Sequence, residues 1–331
     1  MSDYYIGVDV GTGSARAGVF TSDGKMLASA VKNIQMWKND PTFVEQSSND
    51  IWNSVCYVVN KSVADAGIDK CDVNGIGFDA TCSLVALDED NKPVTVSLSG
   101  DIERNVIVWM DHRAVEETEF INSTNHNVLK YVGGKISPEM ETPKLLWLKK
   151  NMPETWLKTD RFFDLPDFLV YQATGKDIRS LCSTVCKWTY MGHEESQSSD
   201  GAGRWSDSYF KTIGLDDLAD NNYSKIGSVV KPIGESIPGG LSEKSAEKLG
   251  LAAGTAVGIS MIDAHAGGIG MIGAQLDDKP LTNSEMSKRL ALIGGTSSCH
   301  MAVSTNPNFV PGVWAGLLHE PKNVTNELNL I

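Results

Sequence analysis

The chain has 331 residues, 41% hydrophobic and 21% charged, which excludes a disordered polypeptide and, at about 150 residues per domain, predicts two domains. Acidic residues outnumber basic ones 42 to 29, and the net charge of −13 argues against nucleic acid or an anionic membrane as a partner while leaving room for a local anion site. Neither the opening MSDYYIGVDV nor the richest apolar stretch, 256–273, which Asp263 and His265 interrupt, has the character of a secretory signal or a membrane span.

The first ninety residues read as strands, then a helix, then strands. Tyr4 to Asp9 and Arg16 to Thr21 are short apolar strands, and Asp23-Gly24 is a hairpin signal leading into Met26 to Val31. That order excludes the simple βαβ opening of a dinucleotide-binding domain. Ile51, Val55, Val58, Val59 and Val63 recur at helical spacing and predict a helix from about Asn49 to Asp65 that Gly67 stops. Val73 to Phe78, Ser83 to Leu87 and Asn105 to Val108 read as further strands. The middle is more helical. Thr142 before Pro143, and Pro166, open two helices, the second closed by Gly175; Ser206 and Ser242 cap two more, closed by Gly214 and Gly250. The polar segment 196–203 reads as an exposed loop, and a lobe boundary is expected near 250–254. Six scattered cysteines lack the paired C-x₂-C spacing of a zinc site; the Cys182-x₃-Cys186 pair alone is weak. They read as free thiols of a reducing, cytoplasmic compartment, where the Asn-x-Ser/Thr sequences carry no glycan.

Glycine, at 31 residues, exceeds the roughly 7% typical of proteins, and two clusters hold much of the excess. Gly11-Thr12-Gly13-Ser14 follows an apolar strand; glycines at such a turn expose backbone N–H groups that, with the hydroxyls, cradle phosphate oxygens. Asp9 just before it is placed to hold Mg²⁺ through water, and Arg16 just after to neutralise phosphate charge. The alternative is an ordinary glycine-rich hairpin, and the string matches neither the P-loop nor the dinucleotide fingerprint. A second apolar strand runs into Gly294-Gly295-Thr296-Ser297-Ser298, too far along the chain for a solenoid repeat but fitting one phosphate turn in each of two lobes that close on a nucleotide.

Three other positions carry chemistry. Asp263 follows the apolar run 259–262 and leads into Ala264-His265-Ala266-Gly267, so it is either a carboxylate at a strand end or a helix cap; His265 reads as a packed or supporting residue. Asp111, in Trp109-Met110-Asp111-His112-Arg113, is either an acceptor for sugar hydroxyls or a cap. Lys187 is the lone cation of an otherwise uncharged run, with a solvated surface lysine as the plain alternative.

Taken in order, Asp9-Val-Gly-Thr-Gly-Ser14, Gly77-Phe-Asp-Ala-Thr-Cys-Ser83, Trp109-Met-Asp-His-Arg-Ala114, Asp263-Ala-His-Ala-Gly267 and Gly295-Thr-Ser-Ser-Cys-His-Met301 resemble the FGGY carbohydrate kinases, and within them the ribulokinases. The resemblance spans about residues 4–314. It implies an α/β, actin-like ATPase (ribonuclease H-like) fold of two lobes, the first over 1–252 and the second, incomplete, over 253–331. It also implies ATP-dependent phosphorylation of a pentulose, D-ribulose to D-ribulose 5-phosphate, with ATP and Mg as cofactors. Asp263 then matches the catalytic base. Asp9, Gly11, Thr12, Gly13, Ser14, Arg16, Gly295 and Thr296 match phosphate and Mg contacts, and Ala80, Thr81, Asp111 and Lys187 match the sugar pocket. Ala80-Thr81 stands where glycerol kinases have a bulky Arg-Glu pair, which leaves room for a longer ketose. Family members continue well beyond the last motif, so the resemblance implies a carboxy-terminally truncated second lobe, with sugar binding without turnover as the alternative. A chaperone-like or actin-like ATPase is more distant, since neither needs the Trp109 motif. A homodimer stays open.

Overall fold

A computed structural model of the protein describes residues 3–38, 40–192, 204–276, 281–295, 298–304 and 308–313, and the backbone of 329–330. Strands β1 (Tyr4–Val10), β2 (Ser14–Thr21) and β3 (Met26–Asn33) form an antiparallel meander whose second turn closes at Gly24, in the left-handed conformation that Asp-Gly turns favour. Ile6, Val8 and Val10 alternate inward with Ala15, Ala17 and Val19 from β2, so one face of the meander is apolar. Two short strands, β4 (Met36–Trp37) and β5 (Glu45–Gln46), lead to helix α1 (Ser48–Ala66), capped by Ser47, whose hydroxyl accepts from Asp50 N, and stopped by Gly67. The expected stripe of Ile51, Val55, Val58 and Val59 is fully buried against β2 and β3, each side chain contributing about 1.5–3 kcal/mol by leaving water.

After α1 the chain enters β6 (Val73–Ala80), which pairs in parallel with β1. A second sheet of five strands, in the order β4-β5-β8-β7-β9, is built from β4, β5, β7 (Leu84–Leu87), β8 (Val106–Ile107) and β9 (Arg161–Asp164). Helices α2 (Val115–Ser123), α3 (Glu141–Asn151), α4 (Pro153–Lys158), α5 (Leu165–Thr174), α6 (Leu181–Trp188), α7 (Asp207–Ile213) and α8 (Glu243–Leu249) surround the two sheets. A short parallel pair, β10 (Arg179–Ser180) with β11 (Val230–Lys231), precedes α6 and follows α7 respectively. Ser206 and Ser242 cap α7 and α8, and Gly214 and Gly250 end them in the left-handed conformation. Helix α3 starts at Glu141 rather than after Thr142, because Met140 is the last extended residue; Pro143 sits in the first turn, where its missing N–H leaves no bond unmade. Pro166 is likewise the second residue of α5, behind the Asp164 cap. The expected loop at 196–203 lies outside the described residues.

Two apolar clusters follow from this layout. One fills the space between the six-stranded sheet and α1, α5 and α8; the other lies among β7, α2, α3, α6 and α7. The lobe boundary expected at 252/253 falls between α8 and β12 (Ala256–Val257), yet β12 and β13 (Met261–Ile262) both pair in parallel with β6 and so belong to the first sheet. Only beyond β13 does the chain leave that sheet, through α9 (Asp263–Ile272), α10 (Asn283–Met286) and the antiparallel hairpin β14 (Ala291–Gly294) and β15 (Ser298–Met301). That last part has a small apolar cluster of its own, around Ile272, Ala291, Met301 and Val303. No helix among the described residues is long and apolar enough to cross a membrane.

Candidate active site

Three parallel strands, β1, β6 and β13, end side by side, and each delivers an aspartate there. Asp9 of β1 is in register with Asp79 of β6, Met261 of β13 is in register with the same Asp79, and Asp263 follows two residues later. The carboxyl ends of parallel strands are where open α/β sheets hold ligands. Burial, then the charges of Asp9 and Asp263, push the Asp79 carboxyl up to about 8, so it holds a proton at neutral pH and is hydrogen-bonded to Asp9. Burial also raises Asp9, opposed by Arg16, whose Nε lies 3.3 Å from the Asp9 carboxylate across the β1–β2 hairpin. Asp263 is the first residue of α9 and accepts from Ala264 N at 2.7 Å; burial outweighs that bond and lifts its carboxyl above the ordinary range.

The Gly11–Ser14 turn is closed by Gly11 N donating to Ser14 O at 3.0 Å. Thr12 is fixed from two sides: Trp109 Nε1 donates to its hydroxyl at 3.0 Å and Gln46 Nε2 to its carbonyl at 2.8 Å. A cleft of about 410 Å³ opens over this floor, lined by Asp9, Thr12, Arg16, Thr81, Cys82, Trp109, Glu139, Lys187 and Asp263, and from the β14–β15 hairpin by Ile293, Gly294, Gly295 and Cys299. The two glycine-rich turns therefore face one space. Thr296 and Ser297 lie outside the described residues, and Gly11, Gly13 and Ser14 belong to the first turn without lining the cleft.

Two expected sugar-pocket residues are not brought to the cleft. Ala80 is the last residue of β6 and wholly buried in the core; strand alternation turns it away, and the chain beyond presents Thr81 and Cys82 instead. Asp111 is also wholly buried, and its carboxylate is fully used. Oδ1 accepts from Arg113 N and Nε, both at 2.9 Å, while Oδ2 accepts from Arg113 Nη2 at 2.8 Å and Val44 N at 2.6 Å. Arg113 completes the arrangement with Glu45 at 3.0 Å and its guanidinium 4.4 Å from the Phe43 ring centre. Asp111 thus braces the loop that carries Trp109, rather than offering free oxygens to a ligand.

Lys187, in the last turn of α6, is buried at the cleft wall. Burial works against its charge, but the neighbouring acidic groups Cys82, Glu141 and Asp164 outweigh it, so the ammonium is held. Two residues facing the cleft were not singled out by sequence, Cys82 and Glu139, the latter 3.3 Å from His112 Nε2; nor was Asp79, hydrogen-bonded to Asp9. Cys82 and Asp79 sit inside a motif already recognised, whereas Glu139 has no local signal.

Glu141, the first residue of α3, is wholly buried, 3.6 Å from Lys144 Nζ, and neither of its oxygens receives a hydrogen bond among the described residues. Burial lifts its carboxyl from 4.5 to about 7, against the pull of Lys144 and Lys187. The folded protein then binds a proton that the unfolded chain has lost, so this group's contribution to stability falls as pH rises from 4.5 to about 7 and is level above. Glu141→Gln is expected to flatten that decline in unfolding midpoint; an identical pH slope in variant and wild type would show that Glu141 does not titrate there.

Comparison with known proteins places the chain. The model of the FGGY family of carbohydrate kinases, N-terminal domain, matches residues 4–270. An FGGY carbohydrate kinase domain-containing protein of Homo sapiens is 52% identical over 94% of this chain and 55% of its own length. The D-ribulokinase YDR109C of Saccharomyces cerevisiae is 43% identical over 94% of this chain and 46% of its own length. The chain thus spans about half the length of the curated relatives it matches. Among solved structures, a xylulose kinase from Lactobacillus acidophilus superposes with a TM-score of 0.76 at 18% identity, over 99% of this chain and 59% of that one, and a gluconate kinase from the same organism with 0.77 at 17%, over 100% and 59%. These likenesses establish the actin-like ATPase fold of sugar kinases. With the matched model covering most of its length, the chain belongs to the FGGY family of carbohydrate kinases.

Proposed function

We propose that this chain carries the sugar-binding lobe and the catalytic carboxylate of an ATP-dependent pentulose kinase that converts D-ribulose to D-ribulose 5-phosphate. The observation that carries the reading is that Asp9, backed by Asp79 on the neighbouring strand, and Asp263 line one cleft that both glycine-rich turns and Lys187 also face. The 43% identity to the yeast D-ribulokinase supports the choice of sugar.

In this reading a sugar hydroxyl attacks the γ-phosphorus of MgATP, the new O–P bond forms as the bond to the β-phosphate oxygen breaks, and the hydroxyl proton passes to Asp263. A carboxylate lifted above its ordinary basicity by burial suits that task. Asp9, partly exposed on the cleft floor, is the donor that fits hydrated Mg²⁺, which when bound neutralises phosphate charge. The Gly11–Ser14 turn, Arg16, Gly295 and Thr296 hold phosphate oxygens. Thr81 and Lys187 meet the sugar, Ala80 keeps the wall behind them thin, and Asp111 acts through Trp109. The first lobe extends through β13 to the end of the matched domain, and the remainder contributes the second phosphate turn.

Lys187→Met is expected to weaken D-ribulose binding by roughly 10- to 100-fold, the worth of a hydrogen bond to a charged group; unchanged affinity by calorimetry would take Lys187 out of the pocket. The substrate itself is tested by coupled ADP release across D-ribulose, D-xylulose, L-ribulose, ribitol and glycerol. The highest kcat/KM is expected for D-ribulose. Preference for another of these would reassign the substrate, and binding of D-ribulose without ADP release would reduce this chain to a sugar-binding lobe.

A further inference from the structure

Helix α6 carries two thiols one turn apart, Cys182 and Cys186, and packs them against Cys82 and Ile262 at the back of the cleft. All three thiols are free. Cys82 and Cys182 are buried, whereas Cys186 is half-buried and immediately precedes Lys187 of the cleft wall. Its Sγ lies 3.6 Å from Nε2 of His265 on α9. Among the described residues no three His, Cys, Asp or Glu side chains converge as metal ligands, so the chemistry open to this cluster is that of its thiols.

The groups facing Cys186 are Cys182 on its own helix, Cys82 from beyond β6, Lys187, and His265 from α9, which Asp263 faces in turn. Cys182 donates its S–H to Cys186, and this bond, followed against burial by the His265 and Lys187 charges, holds the Cys186 thiol well below its ordinary range. The same hydrogen bond and burial push Cys182 up, and burial pushes Cys82 up. His265 is raised in turn: burial opposes its charge, and Cys186 outweighs burial. The cluster therefore concentrates nucleophilic character on one sulfur beside a cation, the setting in which thiols become reactive.

We propose that Cys186, next to Lys187 of the cleft wall, is a modification site for small soft electrophiles and hydroperoxides, with His265 as its counter-ion. With a hydroperoxide, the Cys186 thiolate attacks the O–O bond. An S–O bond forms as O–O breaks, sulfur is oxidised by two electrons while the peroxide is reduced, and the leaving oxyanion takes the His265 proton. The product is a sulfenic acid next to Lys187. This site does not depend on which sugar the cleft takes.

Limiting iodoacetamide followed by peptide mapping tests the proposal on the whole chain. Cys71 is exposed, so access alone would label it first. At pH 6 Cys186 is expected to react about tenfold or more ahead of Cys71, at a rate nearly flat from pH 6 to pH 8, and to yield a dimedone adduct after one equivalent of hydrogen peroxide. His265→Gln is expected to slow Cys186 about tenfold at pH 6 and leave Cys71 unchanged. Labelling of Cys71 first, or a Cys186 rate that climbs about tenfold per pH unit, overturns the proposal. Should His265→Gln fail to fold, the wild-type pH profile decides alone.

Discussion

Asp263→Asn is expected to lower kcat for D-ribulose phosphorylation by about 10²- to 10⁴-fold, the usual worth of a general base, while the dissociation constant for D-ribulose changes by only a few-fold. The asymmetry follows from geometry. Asp263 follows β13 and lines the cleft proposed to take the sugar hydroxyl, and asparagine keeps the side chain's shape and its hydrogen bond from Ala264 N at 2.7 Å. What asparagine cannot do is take a proton. Because burial raises the Asp263 carboxyl, the acid limb of the wild-type kcat profile should sit above the ordinary aspartate range. Turnover in the variant close to that of the wild type would remove Asp263 from proton transfer.

Arg113→Ala should produce the largest loss of stability, about 3–5 kcal/mol. Its guanidinium is wholly buried between Asp111 at 2.8 Å and Glu45 at 3.0 Å, donates to Val96 O at 2.7 Å, and lies against the rings of Phe43 and Trp147. Removing it leaves the buried Asp111 carboxylate without a cation and Glu45 with only Arg104 at 3.8 Å, which costs more than the net worth of the pairs themselves. Trp109, two residues before Asp111, would lose its brace, so Thr12 would also lose the indole donor that fixes the first turn. Arg113→Lys should recover only part of the loss, since an ammonium cannot make the planar fork that Asp111 accepts. Urea unfolding checks both variants; a loss under about 1 kcal/mol for Arg113→Ala would mean that the network holds without its cation.

The elements that were legible in the sequence are those written locally. Alternating Ile6, Val8 and Val10, the Asp23-Gly24 turn, the valine stripe of α1 and the serine caps of α7 and α8 each need only a few neighbouring residues to be read, and they stand where expected. What was not legible depends on pairings far apart in the chain. Nothing near Asp79 says that β6 will lie beside β1 in the register that sets it against Asp9. Strands β12 and β13 are two residues each, too short for a periodicity, so their place in the first sheet appears only when β6 is beside them. Asp111 shows the same limit in a side chain. Its neighbours suggested a ligand or a cap, and its actual commitment depends partly on Val44, 67 residues away. The parity of a strand end decided the rest: Ala80 turns inward, and the next residue, Thr81, reaches the cleft.

The proposal rests on phosphoryl transfer in the cleft that Asp9 and Asp263 line. Incubating the chain with γ-labelled ATP, Mg²⁺ and D-ribulose, and separating the products, tests it most directly. Labelled D-ribulose 5-phosphate is expected with the wild-type chain and almost none with Asp263→Asn. Equal transfer by both, or label that appears only in inorganic phosphate, would contradict it.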